Sequence, residues 1–244
     1  MKLLVKSVAL AAALGAATFA SAQSWPSYGG DTGNTRYSQG TQVTPANVNK
    51  LSVKWALQLG TNRSQESTPI LVGDTLYVTS SFGPKSVFAV NAKTGEVRWK
   101  YSPEMPKGVD QYACCDVVNR GVSYNDGKIF FGRLDSAVTA LDAKSGKEIW
   151  TTKVVDYTQG SVITSPPTLV KNLVITGFGG GEYGVRGALV ALDQATGKEV
   201  WRTHTVPMGN EKHADTWKGD SAKTGGGAAW FIGSYDAKLN LVYY

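Results

Sequence analysis

Histidine and cysteine are almost absent from this sequence, with two of each among 244 residues. His204 and His213 have no metal-ligand spacing and no Ser-His-Asp arrangement accompanies them, which argues against histidine-metal and serine-hydrolase chemistry. A phosphate-binding loop is missing as well. The glycine triplet at 179–181 departs from the dinucleotide fingerprint and is expected to feed a strand, not a helix. Charged residues make up only 18% and are interspersed, so the net charge of +6 forms no basic tract and no nucleic-acid partner is expected. Beyond the amino terminus no segment approaches the about 20 apolar residues that a membrane helix needs, so no membrane span is expected.

The amino terminus itself reads as a signal peptide over residues 1–22. Lys2 and Lys6 give a charged start, Val8 to Ala20 is apolar, and Ala20-Ser21-Ala22 carries small residues where a signal peptidase reads. The mature chain is then expected to begin near Gln23, in an exported, oxidising compartment. Removal of two lysines lowers the net charge from +6 to +4.

Glycine is abundant (28), as are tryptophan (7) and tyrosine (11), and strand-like runs such as Thr75-Leu76-Tyr77-Val78 favour an all-β architecture. The decisive feature is repetition. VFAVNAKTGEVRWKY (87–101), VTALDAKSGKEIWTT (138–152) and LVALDQATGKEVWRT (189–203) align without gaps, and Trp99, Trp150 and Trp201 recur every 51 residues. Each copy predicts a hairpin: a strand, then Asn91, Asp142 or Asp193, then a turn in which Gly95, Gly146 or Gly197 takes positive φ, then a strand ending in Trp. A second hairpin precedes each copy, over 70–80, 122–132 and 168–177. Two hairpins per period make a four-stranded β-propeller blade. The recurring tryptophans are expected to pack between neighbouring sheets. Leu51 to Trp55 reads as the closing strand of a further blade, and residues from Trp230 onward as the start of another. Residues 23–244 thus predict a partial propeller domain of about four blades, truncated at its C-terminal end.

Cys114 and Cys115 are adjacent. Neighbouring α-carbons lie about 3.8 Å apart, short of the usual disulfide range, so a mutual bond closes a small strained ring; an intermolecular bond and free thiols are the alternatives. The surrounding segment, Gln111-Tyr112-Ala113-Cys114-Cys115-Asp116-Val117-Val118-Asn119-Arg120-Gly121, resembles the vicinal-disulfide motif of methanol and ethanol dehydrogenases that depend on pyrroloquinoline quinone (PQQ). Gly179 to Gly187, Asp215 to Trp217 with Gly225 to Trp230, and the opening Trp25 to Asp31 agree with the same family, in order along the whole mature chain.

The resemblance implies an eight-bladed propeller in the intact family with PQQ near its axis. Cys114 and Cys115 would cover one face of the cofactor and Trp230 would stack on the other; sulfur and indole both suit a flat aromatic group. Glu182 corresponds to a metal-ligating glutamate, suited to Ca²⁺, with a lanthanide as the alternative. Gly180 and Gly181 would let backbone amides approach the cofactor. Glu66, Arg120 and Thr164 correspond to polar PQQ contacts, and Arg120 can pair with a carboxylate. Two departures each remove one possible hydrogen bond: Gly179 where many relatives have Ser, and Ala228 where they often have Thr.

The implied activity is periplasmic oxidation of a primary alcohol to an aldehyde, with a metal polarising the quinone, an aspartate taking the hydroxyl proton, and electrons leaving to cytochrome c. The second metal ligand, an Asn, and the general-base Asp are expected beyond Tyr244; Asp236, in a repeat-type turn, is not that base. The 244-residue polypeptide alone is therefore expected to be inactive. A non-catalytic periplasmic propeller scaffold and a quinoprotein sugar or polyol dehydrogenase are the alternatives; the scaffold would lack Cys114–Cys115, Glu182 and Trp230. Reading the encoding DNA past Tyr244 checks this: an in-frame Asn within a few codons followed by a later Asp is expected, and a stop codon at that point contradicts the enzyme reading.

Overall fold

The computed structural model describes residues 24–80 and 86–244. The signal peptide expected over 1–22 lies outside the described residues. Three four-stranded antiparallel sheets and one two-stranded sheet follow each other along the chain, each with its strands in sequence order. The first contains β1 (Ile70–Val72), β2 (Thr75–Ser80), β3 (Ser86–Asn91) and β4 (Val97–Tyr101). The second contains β5 (Ser123–Asn125), β6 (Lys128–Gly132), β7 (Ala137–Asp142) and β8 (Glu148–Lys153). The third contains β9 (Thr168–Val170), β10 (Leu173–Thr176), β11 (Ala188–Asp193) and β12 (Glu199–His204). The last pairs β13 (Ser234–Asp236) with β14 (Leu241–Tyr243), so the fourth blade is present as one hairpin among the described residues. This is the β-propeller predicted from the repeat.

Alternation along each strand places the core between the sheets. On β6, Ile129 and Phe131 face the first sheet, where they join Ile70, Tyr77 and Val87, while Phe130 faces the third and joins Val174, Val190 and Leu192. All three β6 side chains are buried, because a blade between two others is covered on both faces. A smaller cluster of Val170, Ile175, Ala191 and Tyr235 joins the third sheet to the two-stranded one.

The repeating tryptophans lock this stack. Trp99 of the first sheet donates from Nε1 to the carbonyl of Ala143 in the second (3.0 Å), and Trp150 of the second donates to Gln194 in the third (3.1 Å). Each indole lies flat on the next turn glycine. A Cβ built on Gly146 would stand 2.6 Å from Trp99, and one on Gly197 would stand 2.6 Å from Trp150. Those glycines therefore answer two demands, positive φ (70° at both) and an open face for the indole. The same register shift follows each pairing, at Ala89/Val90, Ala140/Leu141 and Ala191/Leu192.

Trp55 makes the same contact, donating to Ala92 (3.0 Å) and covering Gly95. The stretch from Leu51 to Trp55 is nevertheless not a strand, which corrects the sequence expectation. A strand exists through its ladder, and no partner strand among the described residues lies beside this one. Trp201, next in the series, is 37% exposed, and no such turn among the described residues reaches it.

Gly127 and Gly146 share almost the same φ (72° and 70°), but nothing lies within 4 Å of a Cβ added at Gly127. Gly127→Ala is expected to cost about 1 kcal/mol from backbone strain alone. Gly146→Ala is expected to cost about 1–3 kcal/mol more, because Trp99 must move. Urea unfolding midpoints compare the two, and equal losses would contradict the docking account.

Candidate functional site

Antiparallel order divides the loops by end. The short turns within hairpins, at 73–74, 126–127 and 171–172 and at 92–96, 143–147 and 194–198, fall at one end. The longer connections at 102–122, 154–167, 177–187 and 205–233 fall at the other. The first strands of neighbouring sheets touch each other, β5 with β9 and β9 with β13, so they line the inner edge of the stack.

Glu66, Arg120, Thr164 and Trp230 occupy one equivalent place in this design. Each stands three or four residues ahead of the first strand of its sheet, in four consecutive sheets. Backbone hydrogen bonds hold three of these lead-in segments side by side: Thr68 N–H donates to Arg120 O (3.0 Å), and Arg120 N–H donates to Thr164 O (2.8 Å). Arg120 is the hub. Its guanidinium pairs with Glu66 (2.6 Å), donates to Thr164 Oγ1 (2.6 Å) and lies over the Trp230 ring with Cζ 4.9 Å from the centroid.

The double-cysteine segment has a role at each step. Val117 and Val118 are buried; Val117 joins Val109, Leu134 and Val162 in a small core beneath the loop. Asn119 donates to Gly132 O (2.8 Å) and accepts from Gly121 N–H (3.0 Å). Gly121 has φ 127°, and a Cβ there would stand 2.8 Å from Thr68 O. Cys114 and Cys115 are carried at the exposed tip, with sulfurs 2.09 Å apart and α-carbons 3.8 Å apart. Asp116 closes the tip in the left-handed region (φ 64°).

The Glu182 turn hangs between two core anchors, Phe178 and Val185. It opens as a single 3-10 turn over Gly181–Tyr183 and not directly as a strand, which corrects that expectation. Gly180 takes φ 107°, and a Cβ there would stand 2.7 Å from Gly160 O. Backbone bonds from Gly187 N–H to Gly226 O (3.1 Å) and Gly226 N–H to Val185 O (3.3 Å) bind this turn to the loop carrying Trp230. Gly177 and Gly181 leave room for Ala229 and Ala228 respectively.

These parts enclose a cavity of about 170 Å³. Cys114, Cys115, Arg120, Thr164, Gly180, Glu182 and Trp230 all line it, together with Gly179. Gly181 lies behind the wall against Ala228, and Glu66 stands outside the lining and pairs with Arg120. Val118, Gly160 and Val162 complete the wall and were not foreseen. The alternation of 160, 162 and 164 toward the cavity could have revealed two of them. A larger cleft of about 660 Å³ lies among the amino-terminal segment, β5, β9 and β13, but it lacks any such convergence of cation, carboxylate, sulfur and indole. Among the described residues no group of three or more metal-binding side chains occurs, and no helix is long and apolar enough to cross a membrane.

A family model described as "PQQ: Glucose/ethanol/alcohol dehydrogenase, beta-propeller domain" matches residues 25–244. The chain belongs to this PQQ dehydrogenase family. It is 39% identical over 233 residues to the lanthanide-dependent methanol dehydrogenase of Methylorubrum extorquens, covering 88% of this chain and 39% of that protein. It is 40% identical over 231 residues to the quinohemoprotein alcohol dehydrogenase ADH-IIG of Pseudomonas putida, covering 90% of this chain and 32% of that protein. A solved europium-containing methanol dehydrogenase superposes with a TM-score of 0.86 at 38% identity, over 91% of this chain and 42% of that one. The chain thus spans between about a third and two fifths of the length of these curated relatives.

For a PQQ dehydrogenase the wall is chemically apt. Arg120, with 15% of its side chain exposed, offers a shielded cation to an anionic carboxylate. Gly180 presents bare backbone where any Cβ would collide. Glu182 is exposed and is the one carboxylate of the lining. Asp116 is held below the usual carboxylate range, chiefly by the Ser64 N–H it accepts from, then by Val117 N–H and Arg63, with burial opposing. A depressed value means the tie is complete above the ordinary aspartate pKa and is lost as pH falls through the lower folded value. The Ser64 amide resonance is therefore expected to titrate with a midpoint below about 3.9, and a midpoint at or above that value would contradict it.

Proposed function

We propose that this chain forms one wall of a PQQ site that oxidises a primary alcohol to its aldehyde in the periplasm and passes the electrons to a cytochrome c. The observation that carries this reading is the convergence of Cys114, Cys115, Arg120, Thr164, Glu182 and Trp230 on one cavity from separate loops of consecutive sheets. Family membership supports the cofactor, and the names of the relatives support an alcohol as substrate. The amino-terminal pattern of Lys2, Lys6 and Ala20-Ser21-Ala22 supports export, in which the vicinal cysteines are oxidised to a disulfide.

Each residue has a task. Trp230 supplies an indole platform for a flat ring, and the paired sulfurs of Cys114 and Cys115 supply a polarizable surface facing the same cavity. Arg120, preorganised by Glu66 and Thr164, binds an anionic carboxylate of the cofactor. Gly180, which lines the cavity, allows backbone N–H groups to approach the cofactor, while Gly181 stands behind the wall against Ala228. Glu182 contributes one oxygen ligand to a hard cation, Ca²⁺ or a lanthanide. PQQ held between Trp230, the Cys114–Cys115 pair and Arg120 would supply the two-electron acceptor that oxidation of the alcohol requires. With Glu182 committed to the metal, the wall holds no second carboxylate to accept the hydroxyl proton, so that acceptor comes from residues outside this wall.

Titration of the purified protein with PQQ, followed by tryptophan quenching, tests the reading. Saturable binding is expected, and Trp230→Ala is expected to weaken it about tenfold. Glu182→Gln is expected to abolish any gain in PQQ affinity that added Ca²⁺ or a lanthanide ion brings to the wild-type protein. Absence of saturable PQQ binding would overturn the proposal.

A further inference from the structure

The tip of the double-cysteine loop is packed from below, where Ala113 rests on the small core and Tyr112 meets Tyr157 edge-on (5.4 Å between ring centroids). Its feet are buried at Val109, Val117 and Val118, whereas Gln111, Tyr112, Cys114 and Cys115 are exposed. The tip is also tied down from outside, by the segment that leads into β1. Arg63 pairs with Asp110 on one side of the cysteines (3.3 Å) and with Asp116 on the other. The second oxygen of Asp116 accepts from Ser64 N–H (3.1 Å). Three residues after Arg63, Glu66 of the same segment reaches Arg120. One stretch of chain therefore clips both shoulders of the loop and also sets the cation of the cavity.

We propose that Arg63 and Asp116 are positioning residues that fix the height of the Cys114–Cys115 pair over the cavity, and so set the affinity for the planar cofactor. The inference rests on the PQQ reading above. Its physical basis is preorganisation: a platform held in place before binding loses no freedom when the ligand arrives. Arg63 is suited to the task because one guanidinium can bridge two carboxylates, which an ammonium does less well. Asp116 is suited because its left-handed backbone tolerates Asp or Asn and few other residues. Arg63 and Asp110 are exposed, so their pair adds little to global stability; Asp116 is half-buried, and Asn keeps its shape, so both substitutions should leave the fold intact.

The test compares Arg63→Ala and Asp116→Asn in the purified, cofactor-free protein; the Asn variant removes the charge and keeps the backbone. The first readout is the rate at which a phosphine reductant opens the Cys114–Cys115 pair, scored by thiol alkylation and mass spectrometry. The second is PQQ affinity by tryptophan quenching. Both variants are expected to speed opening about tenfold, through greater access to the sulfurs. They are expected to weaken PQQ about fivefold or more through lost preorganisation, while Tm stays within about 2 °C. The double variant should fall short of the product of the two single effects, because both remove the Arg63–Asp116 pair, and Arg63→Lys should recover part of the affinity. Arg98→Ala, which breaks an exposed pair with Asp74 away from the loop, should change neither readout. Unchanged opening rates would overturn the clip. Faster opening with unchanged PQQ affinity would overturn its role toward the cofactor. A wild-type protein that binds no PQQ would overturn the underlying reading instead, and the wild-type titration makes that outcome distinguishable.

Discussion

An indole laid on the bare face of its neighbour's turn glycine is the contact from which the rest of this structure follows. No sheet here can bury both of its faces alone, so each depends on the next. The contact of Trp99 with Gly146, and of Trp150 with Gly197, fixes the spacing and rotation of successive sheets through one hydrogen bond and one flat apolar surface. Trp55 repeats the contact without belonging to a strand, which shows that the docking, and not strand pairing, is the conserved element of the repeat within this chain.

Fixing the sheets at their turn end leaves the other end free to carry long connections. The hydrogen bonds from Thr68 to Arg120 and from Arg120 to Thr164 then bring equivalent positions of neighbouring sheets together at the inner edge. That is how residues far apart in sequence come to share one cavity. A repeat protein offers one such position per blade, and this chain fills four of them with an acid, a cation, a hydroxyl and an indole. Chemical variety at a geometrically repeated position is what gives a stack of similar sheets a cavity of mixed chemistry.

Much of this was legible in the sequence, for identifiable reasons. The period of 51 residues announced the blades, and the turn glycines announced their hairpins, because both reflect local backbone demands. Cys114, Cys115, Glu182 and Trp230 were read through a family resemblance; the repeat alone does not mark them. Other features were hidden. Val162 and Gly160 look like ordinary loop residues until the third sheet turns them inward. Arg63 and Asp116 are surface charges until the fold brings them together across 53 positions. The strand expected at Leu51 to Trp55 failed because a strand needs a partner, and the pattern of one segment cannot supply it.

The central claim is that four consecutive sheets build one face of a PQQ site, with paired sulfurs and an indole for the cofactor. A crystal structure of the protein grown with PQQ tests it most directly. The account predicts the fused ring system in the cavity bounded by Cys114, Cys115 and Trp230, with a cofactor carboxylate on Arg120. PQQ found in the larger cleft beside Tyr124 and Lys171, or nowhere on the protein, would contradict it.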